Sequence, residues 1–247
     1  MIKAKDIDQA LYKICKKLKN APEHSPRNQK TKELIQETIE IKNPRSCIID
    51  NPARKFSNKY LLKELEWYNS GDRSVKEIGK YASLWNKIAD ENGNVNSNYG
   101  HIAFFQELEK FDGNQFDWVV ESLKDDKDSR QAIINFNQTH HKYENVKDFV
   151  CTINTQYLIR NNKLISITNM RSNDVIFGFG NDIPFFSNLQ TQIFKNLKEH
   201  YSNLRLGPMY HTAGSLHVYE RHFEMLDNII KEYESKNIKS KKIEDIL

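Results

Sequence analysis

Apolar residues at Ile7, Leu11, Ile14, Cys15 and Leu18 recur every three or four positions behind Asp6, which predicts an amphipathic helix capped by that aspartate. On this pattern Cys15 is a core residue. The polar stretch 21–33, with two prolines, reads as loop, Thr38–Ile41 as a strand, and the chain through Pro44 and Pro52 as loop again. A second helix is predicted over 58–69, ended by Ser70-Gly71-Asp72. Leu61, Leu65 and Tyr68 form its inward stripe, and Glu64 falls on the same side while Lys63 and Glu66 face away. Buried beside Trp67 and Tyr68, a carboxyl has a raised pKa and can shuttle protons or orient water. An ion-paired acid is the blander reading, and the wheel alone leaves it open.

Residues 149–160 alternate, Asn161-Asn162 supplies turn chemistry, and 164–170 reads as a second strand. A two-residue turn puts Cys151 opposite Ser172 and one residue from Arg171. A lone cysteine in an apolar strand is usually core filler. A guanidinium beside it stabilises the thiolate, the form that attacks electrophilic carbon. The loop 169–182 also holds Asn173, Asp174, Asp182 and two glycines, Gly178 and Gly180, which do not match a phosphate-binding fingerprint. Pro184 is expected to open a helix with Phe186, Leu189, Ile193, Leu197 and Tyr201 on one face, and a last helix is expected over 219–233. Strands and helices without regular alternation predict an α/β (α+β) fold, a mixed β-sheet packed with helices.

No linker divides the 247 residues, so a single domain over 1–247 is expected, with a flexible tail at 236–247 where lysines gather. The net charge of +4, spread along the chain, makes nucleic-acid binding a poor expectation and suits a small phosphate ester. Three cysteines without paired spacing, no N-terminal apolar run and no membrane-length segment predict free thiols in a reducing, cytoplasmic setting. Eight histidines lack metal-ligand spacing, so no metal is expected.

Several separated segments resemble the thymidylate synthase family in order, across residues 25 to 230. They are Ser25-Pro26-Arg27, Glu64-Leu65-Glu66-Trp67-Tyr68 with Gly71-Asp72, Leu84-Trp85, Ala89-Asp90-Glu91-Asn92-Gly93, Asn98-Tyr99-Gly100, and Asp128-Ser129-Arg130. Cys151 with Gln156, the run from Asn169 to Asp182, and Gly214-Ser215-Leu216-His217-Val218-Tyr219 complete the set. The resemblance implies that Cys151 adds to carbon 6 of a pyrimidine nucleotide and that carbon 5 takes a one-carbon unit from 5,10-methylenetetrahydrofolate. It assigns proton management to Glu64 and Tyr99. It gives the phosphate to Arg27, Arg171, Ser172 and, across a homodimer formed by a sheet face, Arg130. Gln156 belongs to the substrate set, His217 and Tyr219 hold the sugar, and Trp85 and Asp174 border the folate.

Asp182 stands where uracil-using members carry asparagine. A carboxylate accepts from the 4-amino group of cytosine, whereas an amide suits uracil. Asp182, and Thr152 in place of the usual histidine, resemble the branch of the family that hydroxymethylates cytosine nucleotides. Gln131 replaces a common second arginine, and the ending Lys242–Leu247 differs from the synthase tail that excludes water. The expected activity is conversion of dCMP, the folate and water to 5-hydroxymethyl-dCMP. A CMP-specific hydroxymethylase, a methyltransferase of thymidylate synthase type, and a non-catalytic nucleotide- or RNA-binding relative are the alternatives.

Overall fold

The computed structural model describes residues 1–246. A short strand, β1 (Ile2–Ala4), precedes α1 (Ile7–Lys19). The Asp6 carboxylate accepts the Gln9 N–H at 2.9 Å, and the whole predicted stripe, Cys15 included, is buried. The stretch read as loop contains β2 (Glu23–His24), a helical turn at Pro26–Asn28, and the start of β3 (Thr31–Ile41). Next comes α2 (Asn58–Ser70), capped by Ser57 and closed by Gly71 at φ 68°, a left-handed conformation that favours glycine.

Beyond α2 lie α3 (Ser83–Ile88), a small hairpin of β4 (Glu107–Leu108) and β5 (Phe111–Asn114), and α4 (Gln115–Asp125). β6 (Ile133–Asn135) leads into the predicted hairpin of β7 (Thr152–Arg160) and β8 (Lys163–Asp174). Its turn residues Asn161 and Asn162 both have positive φ, 52° and 56°, as a tight hairpin turn requires. α5 (Phe179–His200) joins β8 to β9 (Arg205–Tyr219), and α6 (Phe223–Ser235) follows.

Three boundaries differ from expectation. α5 starts at Phe179 and carries Pro184 inside it, so the proline is not the opening residue. The last helix starts at Phe223, because the chain up to Tyr219 is strand. β3 also begins well before Thr38. Its polar half is held by backbone pairing with β9 from Thr31 to Ile41, which hydrophobic periodicity does not report.

The sheet order is β1-β3-β9-β8-β7-β6, with β2 beside β3. β1 and β3 run parallel, as do β8 and β9, and the other pairs are antiparallel. This is the mixed α/β architecture predicted. One row across the sheet, Ile39, His211, Thr168 and Thr155, is buried; the next, Glu40, Tyr210, Ile167 and Gln156, is half-exposed. Helices α1, α4 and α5 pack against the sheet.

The segment 236–246, expected to be a free tail, lies against this body. Lys241 exchanges backbone hydrogen bonds with Ile48, and the Ser240 hydroxyl donates to Asp8 at 2.7 Å. Ile238 is buried, and Ile243 and Ile246 pack on the core. Isoleucines between the lysines supply contacts that a count of charges conceals. Leu247 lies outside the described residues. Among those described, no helix is long and apolar enough to cross a membrane.

Candidate active site

A β-bulge between Thr152 and Asn154 shifts the hairpin register by one position. Cys151 therefore lies beside Arg171, not opposite Ser172: the Arg171 backbone N–H donates to the Cys151 carbonyl at 2.9 Å. The guanidinium folds back along the same strand. Its Nε donates to the Val150 carbonyl at 3.2 Å and its Nη2 to the Phe149 carbonyl at 2.5 Å, which leaves Nη2 3.3 Å from Cys151 Sγ.

Arg171 favours the thiolate, as expected, and Arg27 does so more weakly. Burial is the larger effect, and with Asp182 and Asp148 it pushes the thiol above its ordinary value. Cys151 is thus a thiol at neutral pH. Removing the cation should make this worse. Arg171→Ala is expected to slow alkylation of Cys151 by iodoacetamide at pH 8 by about tenfold, the equivalent of one pKa unit. Unchanged alkylation would remove the pairing from the account.

α2 carries Glu64, whose carboxyl and the Cys151 thiol both feel the charge of Asp182. Glu64 is buried, 5% exposed, and accepts the Tyr60 hydroxyl at 2.5 Å, while Trp85 Nε1 donates to that same hydroxyl at 3.0 Å. Trp85, Tyr60 and Glu64 therefore form one donor chain that ends on the carboxyl. Burial lifts the Glu64 carboxyl to about 8, the Tyr60 bond opposes this, and the charge of Asp182 adds to it. Tyr99 stacks on Tyr68 at 5.7 Å between centroids. Gly100 allows this approach, since a Cβ there would stand 1.8 Å from the Tyr68 carbonyl oxygen.

The raised Glu64 value has a consequence for stability. Native Glu64 holds a proton up to about pH 8, whereas an unfolded glutamate releases it near 4.5. The native state binds more protons across that window, so stability falls as pH rises through it and levels off above. Glu64→Gln lacks this penalty. Its melting temperature should exceed that of the unsubstituted protein at pH 8.5 and approach it at pH 5, while turnover drops. An equal difference at both pH values would contradict the assignment.

The corner between β8 and α5 supplies Asp182. Because α5 begins at Phe179, Asp182 lies in its first turn. Asn173 Nδ2 donates to Asp182 Oδ2 at 2.7 Å, and His211 Nε2 lies 3.0 Å from Asn173 Oδ1. Burial raises the Asp182 carboxyl to about 7, with Asn173 opposing and Asp174 adding. Burial also lowers His211 to about 4, so its ring is neutral.

The remaining predicted residues divide. Arg27 is exposed, has a positive φ of 49°, and makes no ion pair among the described residues, yet its charge reaches Cys151. Ser172 pairs with Ser215, and Asp174 with His217, across β8 and β9. The His217 ring meets Tyr219 edge-on at 5.2 Å. Asp174 accepts the Ile176 N–H at 2.8 Å. These stand around the β8–β9 end. Gln156 does not join them. It belongs to the half-exposed row and donates through Nε2 to the Arg130 carbonyl at 2.9 Å. Arg130 is exposed on the segment before β6 and has no contact with Cys151 or Arg171 among the hydrogen bonds and ion pairs of the described residues.

Tyr60 and His211 have no part in the sequence reading, and Asn173 has a place in it but no role. Tyr60 carried a usable signal, since it precedes Glu64 by one helical turn. Asn173 and His211 meet only because β8 pairs with β9.

A mixed sheet, a cysteine–arginine pair at a bulge and a buried glutamate coupled through Asp182 to the same cysteine define a class that comparison identifies. The thymidylate synthase family model matches residues 8–246, and the chain belongs to that family. It is 34% identical over 200 residues to the deoxycytidylate 5-hydroxymethyltransferase of Enterobacteria phage T4, covering 77% of this chain and 79% of that one. The enzyme of the same name from phage T6 is 34% identical over 211 residues, 82% and 84% of the two chains. Among solved structures, thermostable thymidylate synthase A from Bacillus subtilis shares the fold with a TM-score of 0.70 at 19% identity, over 92% of this chain and 84% of that one.

Proposed function

We propose that this protein transfers a one-carbon unit from 5,10-methylenetetrahydrofolate to carbon 5 of dCMP, with water completing 5-hydroxymethyl-dCMP. The observation that carries the reading is Asp182, a carboxyl at the uracil-reading position that shares the electrostatic environment of Cys151 and Glu64. Two phage relatives named for this reaction support it.

Cytosine presents a 4-amino donor and an N3 acceptor. A carboxyl near pH 7 in its titration can meet both, accepting from the amine in either state and donating to N3 when protonated. As Cys151 sulfur bonds to carbon 6, the ring's π electrons move toward N3, and the Asp182 proton can follow them. Carbon 5 then gains nucleophilic character. When bound, the folate supplies carbon at the oxidation level of formaldehyde. Tyr99 and Glu64 manage removal of the carbon 5 proton and orient water. Arg27, Arg171 and Ser172 hold the phosphate, where guanidinium forks match its oxygens. His217 and Tyr219 take the sugar.

The folate fits the surface near Trp85. Tyr81, Leu84 and Phe177 expose apolar area, and buried Arg54, whose Nε lacks a partner, lies near Asp174. A ligand with an aromatic ring system and carboxylates suits that combination.

The half-exposed sheet face with Leu158, Ile165, Ile167 and Tyr210 suits pairing of two copies. In such a homodimer Arg130 reaches the partner's phosphate site, and Gln156 holds the Arg130 segment in place. The reaction belongs in the cytoplasm, where both substrates occur.

Mass spectrometry of the product from dCMP and isotope-labelled folate tests the reading. 5-Hydroxymethyl-dCMP is expected. A 5-methyl product with dihydrofolate, or turnover of CMP or dUMP in preference to dCMP, would replace it.

A further inference from the structure

The Asp182–Asn173–His211 chain reaches from the nucleotide pocket into the buried row of the sheet, and only part of it has been given a task. Two arrangements of protons satisfy its distances. In one, His211 Nε2–H donates to Asn173 Oδ1, and the amide N–H donates to Asp182 Oδ2. In the other, a protonated Asp182 donates to Asn173, the amide donates to an unprotonated His211 Nε2, and the ring proton moves to Nδ1. His211 Nδ1 is buried without a partner. Leaving a bare lone pair there is cheaper than burying an unpaired N–H. The first arrangement is therefore the one the protein holds.

We propose that His211 is a positioning residue for nucleotide choice, which locks the Asn173 amide with its N–H toward Asp182. This deepens the cytosine reading and rests on it. With the amide so fixed, Oδ2 of Asp182 is kept as an acceptor. Asn173 cannot take the acid proton, which stays available to the ring nitrogen of the nucleotide. An amide free to flip would present its oxygen to Asp182, draw off that proton and mask the carboxyl. Phe179, edge-on to the imidazole at 5.6 Å, fixes the ring plane.

The test combines ¹⁵N–¹H spectra of the histidine rings with calorimetric titration of dCMP and of dUMP, without folate. His211 is identified as the ring signal with through-space contacts to the Phe179 ring, 5.6 Å away between centroids. It should be neutral with its proton on Nε2; a proton on Nδ1 overturns the proposal even if no variant folds. Glutamine can present an N–H where Nε2 lies, and leucine cannot. The dCMP-to-dUMP affinity ratio should fall about tenfold in His211→Leu, the loss of one buried hydrogen bond, and stay within about threefold in His211→Gln. Equal ratios in the two variants would overturn it. A parent protein that binds dUMP as well as dCMP would end the cytosine reading, while the ring proton would still decide the orientation of Asn173.

Discussion

Asp182→Asn is expected to swing the dCMP-to-dUMP ratio of kcat/KM by about 10²–10⁴ in favour of dUMP. An asparagine oxygen can still accept from the cytosine amine, but the amide has no acid proton to give N3. Its N–H groups suit the uracil carbonyl and meet the 4-amino group of cytosine donor against donor. The substitution also places an amide against the Asn173 N–H donor, so its oxygen must face Asn173 and its N–H the base. That orientation is the one uracil needs. Release of tritium from carbon-5-labelled dCMP and dUMP measures both reactions on one scale. An unchanged ratio would mean that the base is read elsewhere.

Cys151→Ala should lower tritium release by more than about 10⁴-fold, because nothing else described near Arg171 can form the bond to carbon 6. The control is Cys15→Ala. Cys15 is fully buried in α1, and burial pushes its thiol far above the ordinary range. Its loss should cost about 1 kcal/mol of stability through packing and leave turnover nearly intact. Comparable losses of activity in both variants would remove the nucleophile assignment.

Legibility followed the kind of signal each element carries. Asp6 before an apolar period of three to four, and Glu64 on the stripe of Leu61 and Tyr68, are local patterns, and both match the structure. The Asn161-Asn162 turn was equally plain. β3 was only partly legible, since its N-terminal half alternates poorly and Gln36 interrupts it with a φ of 53°. The start of α5 is obscured by Gly178, Gly180 and Pro184, which read as a loop with a proline helix start, although Gly178 caps the helix and Gly180 and Pro184 lie inside it. The thiol's direction of shift was misjudged for a different reason. Sequence places Arg171 near Cys151 but cannot weigh its attraction against burial. Contacts such as Asn173 with His211 depend on which strands become neighbours, and no local pattern encodes that.

Ile153, the residue absorbed by the bulge, touches none of the reacting groups described above, yet it sets the frame in which they meet. Were it drawn into the ladder and paired with Met170, Cys151 would slide one step along β8 to face Ser172 and leave its cation. A spacer of this kind carries chemical importance without any chemistry of its own.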